Sequence, residues 1–325
     1  MRERVACLGA GRRGRGIAVV FAYSGHEVAL VDFKARDEAA FRKLSDEALA
    51  ETRNVLVTLA SFGLFDASHV DRIAARVSVV AEGDAQATLS SVSMIFEGVP
   101  EVLDLKRAAL ARASQLAGPE PIIASTTSTI LVDDLSGAVA SPARFLNAHW
   151  LNPAFLVPLV EISPSRQTDP AVTTRVTALL ESVGKVPVVC AARPGYIVPR
   201  IQAVAMNEAA RMVEEGVASA EDLDKAIKYG FGIRFAVLGL LEFVDWGGGD
   251  ILYYASRYLK GALGSERYAA PEIVERNMAE GRIGLRSGVG FLNYEGLDME
   301  AYRRERLKAF VDLLGHFGMN RPPVM

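Results

Sequence analysis

Through the first 193 positions, short and largely apolar runs alternate with longer stretches whose apolar residues fall at helical spacing. The runs lie at 5–8, 27–31, 77–80, 93–96, 121–124, 145–150, 159–162 and 186–190. Runs without polar alternation predict strands buried on both faces, as in a parallel sheet covered by helices. The intervening spacing predicts helices over 17–23, 38–61 and 170–181, with 62–69 as a break. Repetition of strand and helix makes this half an α/β domain. Pro194-Gly195 interrupts the pattern, and the period beyond it is helical. A long apolar-faced helix is expected over 197–215, a shorter one over 223–229 behind the capping-box spacing of Ser219 and Asp222, and a last one over 303–317. Gly230, Gly232 and Gly239 are expected to break the chain around Arg234. Two domains result, 1–193 and an all-helical 194–325.

The first run leads into Gly9-Ala10-Gly11-Arg12-Arg13-Gly14, and Asp32 closes the second. Strand, glycine turn and helix form a seat for a pyrophosphate, because the free N–H groups of a helix start point at the turn. Gly9 permits the tight turn, Gly11 lets the backbone approach the ligand, and Gly14 lets the helix pack on the sheet. Asp32 lies 23 residues beyond Gly9, where a carboxylate can accept both hydroxyls of an adenosine ribose. These features together predict a Rossmann-type domain that binds NAD in preference to NADP, with Lys34 and Arg36 weakening the preference a little.

Composition narrows the class. With 325 residues, half of them hydrophobic, the chain suits two cores better than one. A net charge of -3 gives no basic surface for nucleic acid, and no apolar run approaches a membrane span. Cys7 and Cys190 sit far apart in apolar runs and read as buried thiols. A cytoplasmic protein is expected.

Chemistry is expected at the carboxyl ends of the strands, where ligands of open parallel sheets bind. Glu97 ends one strand there, and Lys106 follows on the next helix, as a cofactor contact or as a solvated surface charge. The hydroxyl cluster 125–129 either caps the helix beginning near Val132 or lines a pocket, with Ser128 able to hold a reacting oxygen. Of four histidines, only His149 stands at a strand end beside a turn and an acid partner. Twelve residues separate it from Glu161, a distance that lets one strand leave the site and the next return. A neutral imidazole can take the proton of a secondary alcohol as hydride departs, and an acid can orient it; a core histidine satisfied by Glu161 is the plainer alternative. Asn152, in the turn after His149, and Arg234 are candidates for substrate contact, the guanidinium as a carboxylate clamp. No histidines or cysteines share a metal-ligand spacing.

The glycine loop with Asp32, together with Glu97, Glu101 and Lys106, the ASTTS, HWLNP and LVEI segments, RPGYIV, NEAARMVEEG and GRIGLRSGVGF, resembles the L-3-hydroxyacyl-CoA dehydrogenase family. The family is meant in the wide sense that includes lambda-crystallin, an L-gulonate 3-dehydrogenase, and carnitine dehydrogenase. The resemblance runs from residue 5 to about residue 294. It implies an NAD-binding first domain, a helical second domain used for homodimerisation, and Ser128, His149 and Glu161 as the catalytic set. The chain departs from the family at Pro199, where an asparagine is usual, at Thr126, another asparagine position, and at Arg13, where the loop carries methionine. Segment 231–239 is closer to the gulonate dehydrogenase branch, and 295–325 is an extension. The expected substrate is a small 3-hydroxy acid. The alternatives are a hydroxyacyl-CoA, or a catalytically inactive NAD-binding structural protein.

Overall fold

The apolar runs become strands β1 (Arg4–Leu8), β2 (Glu27–Val31), β3 (Val77–Val80), β4 (Met94–Glu97), β5 (Ile122–Ser125), β6 (Phe145–Trp150), β7 (Leu159–Pro164) and β8 (Val186–Val189). In the computed structural model, which describes residues 2–325, they form one sheet in the order β3-β2-β1-β4-β5-β6-β7-β8. Every neighbouring pair is parallel except β6 and β7, which run antiparallel. Helices α1 (Arg12–Tyr23), α2 (Glu38–Ser61), α3 (Val70–Ala74), α4 (Ala85–Leu89), α5 (Leu103–Ala117), α6 (Val132–Ser136) and α7 (Pro170–Ser182) connect the strands. The extended helix predicted over 38–61 spans those residues, with Asp37 capping it through the N–H of Ala40.

Continuous apolar runs follow from burial on both faces. Val5 and Cys7 join one core with Ile17 and Phe21 of α1, Leu56 of α2 and Trp150. Their strand neighbours Ala6 and Leu8 join a second core with Leu89, Leu110 and Phe145 on the opposite face. Burial raises the Cys7 thiol to about 12, so it remains protonated.

Helix α8 (Val198–Glu214) begins with Pro199 in its first turn, where the missing N–H costs nothing. The chain divides into two compact units within this helix, one ending at Met206 and the other beginning at Asn207. The second unit contains α9 (Ala220–Ala226), α10 (Ile233–Val237), α11 (Leu240–Gly247), α12 (Gly249–Leu263), α13 (Glu272–Ala279) and α14 (Met299–His316). Two expectations change here. Helix α9 starts at Ala220, because Ser219 caps the Asp222 N–H at 3.1 Å, while the Asp222 carboxylate turns outward to Lys225 at 2.8 Å. Gly230 and Gly232 do not break the chain; residues Ile227–Gly232 wind as a π-helical segment that continues into α10.

The closing glycine-rich segment is a lock around one acid. Buried Asp245 accepts the N–H groups of Phe291 at 2.9 Å and Leu292 at 2.8 Å and the Tyr294 hydroxyl at 3.2 Å. A Cβ at Gly290 would stand 2.1 Å from the Asp245 carboxylate, and one at Gly284 would stand 2.2 Å from its carbonyl oxygen. Helix α14 is tied down as well: Glu242 of α11 accepts the Tyr302 hydroxyl at 2.6 Å and Arg306 Nε at 2.8 Å.

Candidate active site

The glycine loop has the form a dinucleotide needs. Gly9 holds φ at +94°, a conformation that side chains resist. A Cβ on Gly14 would lie 2.3 Å from the Gly9 carbonyl oxygen, so only glycine lets α1 pack on the turn. Gly11 is exposed with open space where its Cβ would point, and no side chain caps the α1 N-terminus. The first-turn N–H groups of this 12-residue helix are therefore free to receive an anion. These residues fit NAD, with the loop and α1 for its pyrophosphate and Asp32 for its ribose.

Asp32 is buried at the end of β2, and its carboxylate is already engaged: it accepts the Lys34 N–H at 3.3 Å and pairs with Arg36. A ribose would share this acid with Arg36 or displace it.

At the carboxyl ends of β4 and β5 lies a buried polar network. Lys106 and Glu97 are fully buried, and Lys106 Nζ donates to both Glu97 oxygens, at 2.9 and 3.1 Å. It also donates to the Val99 carbonyl at 3.2 Å and approaches Glu101 at 3.4 Å. Glu97 and Lys106, expected as cofactor contacts, thus engage each other, and Lys106 is not the solvated surface charge that its place on a helix also allowed. A buried ammonium persists only when paired, and its partners here consume it. The hydroxyl cluster does not cap α6, whose N-cap is Leu131 without a side-chain bond. Ser125 donates to Glu97 at 2.5 Å and Thr126 to the Glu97 carbonyl at 2.8 Å. Glu101 gathers the rest, accepting the Thr127 hydroxyl and the N–H groups of Ser128 at 2.9 Å and Thr129 at 3.0 Å. Burial alone would raise the Glu101 carboxyl; the Thr127 hydroxyl and Lys106 outweigh it and hold it at about 2.

His149 and Glu161 are direct cross-strand partners in the β6–β7 register. Both are buried, and His149 Nδ1 meets Glu161 Oε2 at 2.7 Å. The other oxygen, Oε1, accepts the N–H groups of Ile197 at 2.9 Å and Val198 at 2.8 Å, where α8 begins. Facing an ionised carboxylate, which only accepts, Nδ1 supplies the hydrogen, and in the neutral ring Nε2 then keeps its lone pair. Among the described residues Nε2 has no hydrogen-bond partner.

Tyr196, in the RPGYIV segment, has no role assigned from the sequence, yet its ring stacks on His149 at 4.9 Å between centroids and 17° between planes. Its hydroxyl donates to the Thr127 carbonyl at 3.0 Å and accepts from Asn147 Nδ2 at 3.0 Å, joining the histidine to the hydroxyl loop. Burial raises the phenol, so it stays neutral. Two signals were available in the sequence: an aromatic directly after Pro194-Gly195, and Asn147 two residues before His149 on the same strand face.

Ser128 is half-buried, and its Oγ accepts from Arg13 Nη2 at 3.0 Å. Asn152 is exposed in the turn after β6. Arg234 belongs to the second unit, exposed on α10, with its guanidinium over the Phe243 ring at 5.4 Å.

Residues 4–193 match the NAD binding domain of 3-hydroxyacyl-CoA dehydrogenase and residues 195–294 its C-terminal domain. A 5-formyl-3-hydroxy-2-methylpyridine 4-carboxylate 5-dehydrogenase of Mesorhizobium japonicum is 30% identical over 96% of this chain and 97% of its own. The L-carnitine dehydrogenase of Streptomyces coelicolor is 32% identical over 83% of this chain and 82% of its own. A solved 3-hydroxyacyl-CoA dehydrogenase from Archaeoglobus fulgidus superposes with a TM-score of 0.77 at 32% identity, covering 98% of this chain and all of that one. Since the match runs through the sheet and on into the helical half, the chain belongs to the 3-hydroxyacyl-CoA dehydrogenase family and is an NAD-dependent dehydrogenase.

Proposed function

We propose that the enzyme interconverts a small carboxylated secondary alcohol and its ketone, with His149 as the base that takes the hydroxyl proton at Nε2. The observation that carries this reading is the 2.7 Å bond from His149 Nδ1 to Glu161, which commits one ring nitrogen and leaves the other as a proton acceptor. Glu161 orients the ring and balances the imidazolium once the proton has moved. Ser128, the side chain of the hydroxyl loop left half-buried, holds the reacting oxygen. NAD, held by Gly9, Gly11, Gly14 and Asp32, supplies the hydride acceptor. Glu97, Lys106 and Glu101 act on the loop that presents Ser128.

Two relatives support a free acid over a thioester. The Mesorhizobium enzyme acts, by its name, on a pyridine 4-carboxylate and matches nearly the whole chain, while the Streptomyces enzyme acts on L-carnitine. Turnover of free 3-hydroxy acids and of carnitine-like alcohols, compared with the CoA thioesters by following NADH formation, tests the reading. His149→Ala is expected to lower turnover about 10²–10⁴-fold with NADH binding kept. Turnover of thioesters alone transfers the assignment to a hydroxyacyl-CoA dehydrogenase. Tight NAD binding with no turnover of either class indicates a structural protein.

Assembly as a homodimer through the second unit is part of the proposal. In that unit Tyr258 is 73% exposed, Ile251 62% and Tyr254 60%, more apolar surface than a stable helical unit ordinarily leaves in water. A monomer by sedimentation at concentrations well above assay conditions refutes it.

A further inference from the structure

Among the described residues Arg13 is the one side chain that links the glycine loop to Ser128 by a hydrogen bond. Its Nη1 donates to the Thr126 carbonyl and lies 3.4 Å from the Thr126 hydroxyl, while Nη2 donates to Ser128 Oγ at 3.0 Å. The neighbouring Arg15 is neutralised by Glu51, with its Nε on the Ala10 carbonyl at 2.7 Å. Arg13 differs: among the described residues no carboxylate lies within ion-pair reach of it. A half-buried guanidinium is thus held by neutral acceptors, with its charge unbalanced, beside the hydroxyl that holds the reacting oxygen.

The donor count leaves room for a ligand. A guanidinium has five N–H groups, and the contacts here fall on Nη1 and Nη2. Among the described residues Nε has no hydrogen-bond partner, and Nη2 carries a second hydrogen, so the side of the fork formed by Nε and Nη2 keeps donors for a carboxylate. Acceptance by Ser128 Oγ has a second effect. With its lone pair turned to Arg13, the serine keeps its own hydrogen to donate towards a substrate oxygen.

We propose that Arg13 is a specificity-determining residue that binds the carboxylate of the substrate, beside the carbinol held by Ser128. The proposal deepens the small-acid reading and rests on it for the identity of the substrate. A pyrophosphate is the other anion that a residue of this loop could meet. The free N–H groups of α1 already serve that anion, whereas the Arg13 guanidinium is fixed at the end of β5, on Thr126 and Ser128.

The test is calorimetric titration of 3-hydroxybutyrate, and separately of the uncharged 3-hydroxybutyramide, into NADH-saturated enzyme, together with titration of NADH into the free enzyme. Arg13→Met is expected to weaken the acid at least about tenfold, as loss of a charge-assisted pair should. Amide and NADH affinity should change by less than about twofold, and Arg13→Lys, which keeps the charge without the fork, should fall between. Arg234→Met serves as the control for the other candidate clamp. Equal acid affinity in wild type and Arg13→Met, equal loss of acid and amide, loss of NADH affinity instead, or loss of the acid in Arg234→Met alone overturns the assignment. So does a wild-type holoenzyme that binds no acid. If the wild type oxidises only thioesters yet still binds the acid through Arg13, the functional reading fails and Arg13 stands as a carboxylate-binding residue of the site without the role in substrate choice.

Discussion

Replacing Glu161 by glutamine should cost far more than the change of one atom suggests, because this carboxylate accepts three N–H groups with two oxygens. Oε2 takes His149 Nδ1 at 2.7 Å, and Oε1 takes the backbone N–H groups of Ile197 and Val198 at 2.9 and 2.8 Å. An amide has a single acceptor oxygen. If that oxygen serves the backbone pair, the amide NH₂ faces Nδ1. The ring then takes the opposite tautomer and Nε2 carries the hydrogen, which removes the base. If the oxygen serves His149, two buried N–H groups of α8 face an NH₂. In the second arrangement the bond to the imidazolium also changes from an ion pair to a bond with a neutral acceptor, worth about 1.5–3 kcal/mol, or roughly ten- to 150-fold. Tautomer reversal in the first arrangement takes the loss in turnover towards about 10⁴-fold, the upper end for a positioned proton acceptor. Steady-state turnover across pH, with NADH affinity measured by fluorescence titration on the same samples, checks it. Turnover of Glu161→Gln within tenfold of wild type at every pH, in a variant that binds NADH normally, would refute the acceptor argument.

Lys106→Met leaves the Glu97 carboxylate buried without its cation, so unfolding stability should fall by about 3–5 kcal/mol; denaturation at neutral pH showing a change below about 1 kcal/mol would contradict the buried pair. Glu101 titrates at about 2 in the fold against an ordinary 4.5, so it stabilises the native state at neutral pH and loses that contribution as pH falls from about 4.5 towards 2. The stability gap between wild type and Glu101→Gln should therefore narrow over that interval, and a gap constant between pH 6 and pH 3 in urea titrations would argue against the Thr127 and Lys106 contacts as its source.

The sheet and the glycine loop were legible because their signals are local. Strands buried on both faces cannot be polar, and the loop needs its glycines within six positions, Gly9 to Gly14. The His149 and Glu161 pair was legible because twelve residues are enough for one strand to leave the site and the next to bring an acid back beside it. From the sequence Lys106 reads equally as a cofactor contact or a surface charge, since helical spacing does not reveal which charged residue faces a buried acid from another strand. Gly230 and Gly232 read as breakers because their cost in a helix is a propensity, and tertiary context overrides it. Tyr196 escaped because its position depends on a backbone conformation, φ 46°, that an ordinary side chain rarely adopts.

Segments between secondary elements are where α/β proteins usually tolerate gained or lost residues. The stretch from Cys190 to Tyr196 is a ruler instead. It leaves β8, hydrogen-bonded at Cys190 to Ile162, and must deliver Tyr196 face-on to His149 and the next two N–H groups onto one oxygen of Glu161. One residue more or less would turn the start of α8 by about 100°, the angular step of a helix with 3.6 residues per turn. Both N–H groups would then miss the carboxylate. The length of this connector is thereby as much a part of the proposed proton-transfer apparatus as the side chains it aligns.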